Sequence, residues 1–328
     1  MFNSRATDHL TFLARQLVAA RETRSLDEAL AQLSAASPAR YADDIQRLQG
    51  LLGNEEVQDT TLGLSPFATL AKLFRALPDR REALLSRFVD YLQQSRAVHE
   101  TFLTGIIGLC WYLAIVGLIA VVINTTYSTY VYPSVAGLLR AANEPPPALA
   151  VLLFEHGWAA HLAVLLVLTL GLSGGFVWLL YRRAERMAPM PKIPGWVPGQ
   201  RLCAVYNLGL LVNFARMLHE SGLAGAEALE QAALITGHRR DGDAKLSAPQ
   251  QVTDGAEERL QRLAIARQME TLPTELQAQC DEHMGQLAAA LLTTRERLAT
   301  VLKLGLFLYV GMIVIAMYLP IFQSNSII

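Results

Sequence analysis

The chain has 328 residues, of which 52% are hydrophobic and 17% charged, and its formal net charge is −1. That length suits two modest domains better than one, and the near-neutral balance excludes a whole-molecule field that would steer nucleic acid or acidic ligands. Cys110, Cys203 and Cys280 lie far apart, which excludes metal-type spacing and a disulfide framework and reads as three buried or membrane-facing thiols in a reducing compartment.

Residues 1–98 read as a helical domain. Leu10, Leu13 and Leu17, then Leu26, Leu30 and Leu33, recur at helical spacing. Ser25 followed by Glu28 is a capping-box pattern that opens the second helix. Pro38 and the polar stretch at Gly53 and Asn54 break the periodicity. Leu70, Leu73, Phe74 and Leu77 form another apolar stripe, which Pro78 ends. Leu84, Leu85, Phe88, Tyr91 and Leu92 make a further helix running toward residue 102. No useful period-two run appears, so strands are not expected. The first residues carry Arg5, Asp8 and Arg15 with no apolar stretch, so no cleavable leader is read and the first span is expected to direct insertion.

Three uncharged runs follow, at 102–123, 162–181 and 304–322. The first covers about 33 Å as a helix, enough for a hydrocarbon core about 30 Å thick. The loop 124–160 holds Tyr127, Tyr130 and Tyr132, residues expected at the membrane interface, and Pro145 to Pro147, which exclude a helix interior. A short helix is expected over Leu149 to Phe154. Residues 182–299 read as a second helical domain: a Pro/Gly connector over Met187–Gln200, a buried helix over Leu202–Leu218 broken by Gly222, and a helix from Ala226. A polar loop over Gly237–Gly255 and helices over Gln261–Glu270 and Glu275–Ala299 complete it. Residues 323–328 form a tail.

Orientation follows from the basic residues beside the spans. Arg80, Arg81, Arg87 and Arg96 precede the first, Arg182, Arg183, Arg186 and Lys192 follow the second, and Arg295, Arg297 and Lys303 precede the third, whereas loop 124–160 holds only Arg140. Both helical domains are therefore expected in the cytoplasm, and loop 124–160 and the tail outside it. In each domain an Ala-Leu pair opens a helix, Ala29-Leu30 and Ala228-Leu229, the pattern expected of an internal duplication. The fold class read is all-α, with three transmembrane helices and two cytoplasmic helical bundles.

Chemistry-bearing patterns are sparse. None of the four lysines follows a glycine, so the Walker A loop is absent. His219-Glu220 and Glu282-His283 lack a second histidine at zincin spacing and read as solvated helical faces. Asp241, Asp243, Asp254, Glu257 and Glu258 do not match an EF-hand and read as a solvated loop. Gly171, Gly174 and Gly175 read as a helix-packing face. No span carries a central carboxylate or lysine, the usual mark of an ion path. The chain reads as no enzyme, with no cofactor and no metal; a transporter, a membrane-embedded enzyme or a simple membrane scaffold are the alternatives.

From Gly311 to Phe322 the chain closes on Tyr318-Leu319-Pro320-Ile321-Phe322, where Pro320 is expected to sit at the helix end and close the last span. This resembles the ending of the platform proteins of type II secretion and type IV pilus assembly, the GspF and PilC family, in which Glu296 matches a glutamate at the entry to the last span. Arg15-Gln16-Leu17 with Ala29-Leu30, and Gly222 with Ala228-Leu229, resemble the opening helix pairs of the family's two cytoplasmic domains. The order domain, span, loop, span, domain, span is the family's as well. The chain departs from it at Thr23 and Arg24, where the family has a turn glycine, and in lacking a Gly-Glu-x-x-Gly segment near Ala76–Arg81 and Glu270–Glu275. The resemblance implies a bacterial inner-membrane protein that is not an enzyme. Implied partners are a cytoplasmic hexameric secretion ATPase, the transmembrane helices of pilins or pseudopilins, other inner-membrane assembly proteins, the lipid bilayer and further copies of itself, with no nucleic acid.

Overall fold

The computed structural model describes residues 5–21, 23–53, 66–191, 193–194, 199–237, 240–241, 245–246 and 254–324. The polar loop read at Gly237–Gly255 lies largely outside the described residues. Its described part contains two-residue strands, β1 (Arg240–Asp241) and β2 (Lys245–Leu246), paired antiparallel where only loop is expected. All other regular structure among the described residues is helical. Four stretches are long and apolar enough to cross a membrane: Ile107–Ala141, Ala160–Glu185, Gln200–Glu220 and Leu272–Pro320. They are not equivalent. The most apolar part of Gln200–Glu220 is 72% buried against the rest of the protein, compared with 22%, 12% and 22% for the others.

The chain divides into two compact units, residues 1–101 with 179–294, and residues 102–178 with 295–328. Three helices contribute segments to both: α5 (Arg81–Thr126), α8 (Trp158–Glu185) and α12 (Leu272–Ser324).

In the first unit, α1 (Arg5–Arg21), α2 (Leu26–Ala36), α3 (Ala42–Leu52) and α4 (Pro66–Ala76) form a bundle whose leucine stripes face inward. The Ser25–Glu28 capping box is present: Glu28 N donates to Ser25 Oγ at 3.4 Å, and Ser25 N to Glu28 Oε2 at 3.3 Å. His9 on α1 meets Asp44 on α3 at 2.7 Å. The first turn of α5 caps α3, since Arg81 Nη1 donates to the C-terminal carbonyl of Leu51 at 2.8 Å, one of the acceptors a helix end leaves open. Leu84, Leu85, Phe88, Tyr91 and Leu92 are buried, as their spacing predicts.

The same unit holds α9 (Gln200–Glu220), α10 (Gly225–Thr236), α11 (Asp254–Gln268) and the start of α12. Thr69 donates to the Arg186 carbonyl at 3.0 Å, and Tyr91 packs edge-on to Phe214 at 6.5 Å, so segments distant in sequence share one core. Asn207 fixes the described part of the proline connector: Met190 N donates to its Oδ1 at 2.6 Å, and its Nδ2 donates to the Met190 carbonyl at 3.2 Å. Arg87, Arg216 and Glu220 form an ionic cluster joining α5 to α9. Arg259 is buried, and burial lowers its pKa. It donates to the Gln279 carbonyl at 2.8 Å while Gln279 Nε2 donates back to the Arg259 carbonyl at 3.1 Å, which clamps α11 to α12.

One packing contact overturns an expectation. Read as part of a solvated face, His283 is fully buried. Its ring occupies the space above Gly209, where an added Cβ would overlap it. Glycine at 209 is what lets α9 and α12 approach there.

In the second unit α5 and α12 run parallel. Leu113 clusters with Leu302 and Leu306, Ala120 with Tyr309 and Ile313, and Tyr127 bonds to Met317. The pairing thus advances in step along both helices. On α12 the buried positions are Leu302, Leu306, Tyr309, Ile313, Ala316 and Pro320. Their alternating spacing of four and three residues keeps one face of α12 toward α5.

Candidate functional site

The candidate site is the end of that seam, where the Tyr-Leu-Pro-Ile-Phe motif meets the segment after α5. That segment is ordered helix rather than open loop. A π turn over Tyr127–Val131 leads into α6 (Tyr132–Ala141); after the prolines, α7 (Ala148–Ala150) runs into a second π turn, Val151–Glu155. In each the closing bond spans five residues, from Tyr132 N to the Tyr127 carbonyl and from His156 N to the Val151 carbonyl.

The wider turn has a consequence for side chains. Residues five apart point about 140° from each other on an α-helix, whereas one π turn brings them near the same side. Tyr127 and Tyr132 accordingly both face inward and pack on Phe154, at ring separations of 4.9 and 5.3 Å. Ala136, Ala150, Leu153 and Ala316 complete the cluster. An ion pair between Arg140 and Glu155 ties α6 to the second π turn. Of the three tyrosines expected at the interface, Tyr127 and Tyr132 are instead cluster core, and only Tyr130 is exposed.

Pro320 requires a second correction. Expected to close the last span, it lies inside α12, which continues to Ser324. There it removes the donor that the Ala316 carbonyl would receive, and a proline inside a helix costs about 3 kcal/mol or more. The Tyr127 hydroxyl donates to the next carbonyl, that of Met317, at 3.0 Å. A neighbouring helix thereby supplies a donor to the turn that the proline weakens, the device that makes proline tolerable within bilayers.

Tyr318 and Phe322 project from the opposite side of this turn. They are 54% and 69% exposed, with ring centroids 6.4 Å apart. The motif thus divides into a packed element, Pro320, and an aromatic pair that nothing in the chain covers among the described residues.

The remaining motif residues are not gathered at this site. Arg15 and Gln16 are exposed on α1 and Leu17 is buried. Ala29-Leu30 and Ala228-Leu229 are buried, each pair being the fourth and fifth residues of its helix. Gly222 has φ +112°, a conformation that favours glycine, at the turn between α9 and α10. Glu296 is exposed on α12. A Cβ at Gly311, or at Gly171, Gly174 or Gly175, would meet no described atom within 4 Å, so these glycines mark no close helix approach within the chain. Cys203 and Cys280 are buried and Cys110 is partly so.

Sequence reasoning missed Tyr127 as a donor and Phe154 as the centre of the aromatic cluster. The only signal for either was aromatic density in the segment. Among the described residues no group of three or more His, Cys, Asp and Glu is placed to hold a metal ion.

No family model matches the chain, and no curated protein or solved structure matches it significantly.

Proposed function

We propose that the chain is an inner-membrane platform protein coupling a cytoplasmic ATPase to the assembly of pilin or pseudopilin fibres, in a type IV pilus or type II secretion system. The observation that carries this reading is the Tyr318-to-Phe322 ending, on a packed seam that turns two aromatic rings outward. In lipid, helices associate through packing and polar contacts rather than the hydrophobic effect. A helix seam with an exposed aromatic edge suits a surface that receives and releases a subunit's transmembrane helix.

In this reading the second unit is membrane-embedded. The spans are 102–123, 162–181 and 304–322, and α9, whose apolar face is largely occupied, belongs to the cytoplasmic part. The basic flanks place residues 1–98 and 182–299 in the cytoplasm. The matching positions of Ala29-Leu30 and Ala228-Leu229 support descent of the two helix pairs from one duplicated unit. Because α5, α8 and α12 contribute to both units, movement received by one has a covalent path to the other.

The test is a reconstitution. The purified chain in lipid vesicles turns over no ATP alone, and raises the turnover of the secretion ATPase encoded beside it. Intrinsic turnover that follows the chain through every purification step rejects the reading, as does an ATPase indifferent to it.

A further inference from the structure

At the other end of the α5–α12 seam a guanidinium lies in a glycine notch. A Cβ at Gly105 would sit 2.8 Å from Cζ of Arg295 and 2.9 Å from its Nε and Nη1. The guanidinium therefore lies flat against the backbone of α5, in space that any other residue would fill. This pairing is the first in the register that continues through Leu113, Ala120 and Tyr127, so the notch lies where the two helices begin to run together.

Arg295 is exposed, and no hydrogen bond or ion pair joins it to another described residue. A guanidinium carries five donors in a fixed plane, and helical backbone, with its groups bonded internally, takes none of them. The local charge is one-sided. In the second unit on this side of the spans, Arg295, Arg297 and Lys303 face a single carboxylate, Glu296, whose position next to Arg295 points it to a different face of the helix.

We propose that Arg295, held by the Gly105 notch, binds the phosphodiester of an anionic phospholipid at the cytoplasmic mouth of the α5–α12 seam. Planar guanidinium matches phosphate oxygens two at a time. Basic pockets between membrane helices on the cytoplasmic side are suited to anionic headgroups. The notch supplies what an ordinary surface arginine lacks: room for the fork to lie against the helix backbone at the mouth of the seam. The inference rests on reading the second unit as membrane-embedded.

Native mass spectrometry of the full chain in detergent, with phosphatidylglycerol or phosphatidylcholine added, tests it. The wild type retains phosphatidylglycerol in preference to phosphatidylcholine. Arg295→Gln lowers that retention about tenfold. Gly105→Ala, which keeps the arginine but displaces its flexible end, lowers it as well, and Arg297→Gln leaves it unchanged. The melting temperature without lipid reports whether each variant folds. Equal loss in Arg297→Gln means diffuse charge attraction and overturns the site. So does unchanged retention in Arg295→Gln, and so does displacement of the lipid by equimolar inorganic phosphate, which assigns the site to the free anion. Carbonate washing of cell membranes separates the two levels. A chain that stays in the membrane without lipid preference overturns the lipid site alone, and a chain washed off overturns the membrane reading beneath it.

Discussion

Gly209 is the residue whose identity the packing dictates most strictly. A methyl there overlaps the buried ring of His283, and overpacking of this kind costs about 1–3 kcal/mol. Gly209→Ala should therefore lower the thermal unfolding midpoint of the purified protein. In the double variant Gly209→Ala/His283→Ala, the alanine at 209 should cost much less, because the two sites share one volume. Additive losses would mean that the ring is not what fills the notch. Nothing in the sequence pointed to this pair. Glu282-His283 looks like a polar surface dipeptide, and the apolar surroundings of His283 come from another helix. By contrast Ser25 and Glu28 were legible, because a capping box is written within four residues.

The tyrosines give a second residue-scale prediction. Tyr127 donates to a backbone carbonyl, while the buried Tyr309 hydroxyl has no hydrogen-bond partner among the described residues. Tyr127→Phe should cost about 1 kcal/mol, and Tyr309→Phe should be neutral or stabilising. Denaturation of both variants in detergent compares them directly; the reverse order would contradict the proline-support role given to Tyr127.

At the scale of elements, what the sequence concealed is pairing and phase. Long apolar helices were legible because charge-free runs of that length are rare in soluble helices, although Gln200–Glu220, read as a buried helix, is a fourth stretch apolar enough to cross a membrane. The leucine stripes of α1, α4 and α5 were legible because helical period shows within a short window. The parallel seam of α5 and α12 joins residues far apart in the chain, and its four-three spacing is masked in a span where nearly every residue is apolar. The π turns were hidden for a different reason. One extra residue in a turn leaves no compositional mark, yet it turns Tyr132 into the cluster. Extending α12 through Pro320 was hidden likewise, because the Tyr127 hydroxyl that bonds the adjacent Met317 carbonyl comes from a distant part of the chain.

The exposed pair is tested at this scale too. Tyr318 and Phe322 lie four residues apart on one face of α12. Charge at either position near the interface costs up to a few kcal/mol, so Tyr318→Arg and Phe322→Arg should reduce assembly of surface fibres. Phe322→Trp preserves an interfacial aromatic and changes only its shape. Normal insertion with failed assembly in that variant would identify partner contact, whereas normal assembly would identify anchoring alone. If both arginine variants insert and assemble as wild type does, the motif has neither role.

For the whole molecule, topology comes first. The two segments expected in the cytoplasm from sequence, 1–98 and 182–299, contribute most of one compact unit, and the proposed orientation, argued from the bias of arginine and lysine, puts that unit inside the cell. A single cysteine at Ser134 should react with an impermeant thiol reagent added to intact cells, and one at Ala224 should not. Labelling at Ala224 would invert the account. The central claim, that the chain is the platform on which a fibre is assembled, is tested most directly by removing it from the cell that encodes it. Surface fibres, or the protein secreted through them, should disappear while their subunits accumulate in the inner membrane, and the wild-type chain supplied in trans should restore them. Fibres and secretion that persist unchanged in the deletion strain would contradict the account.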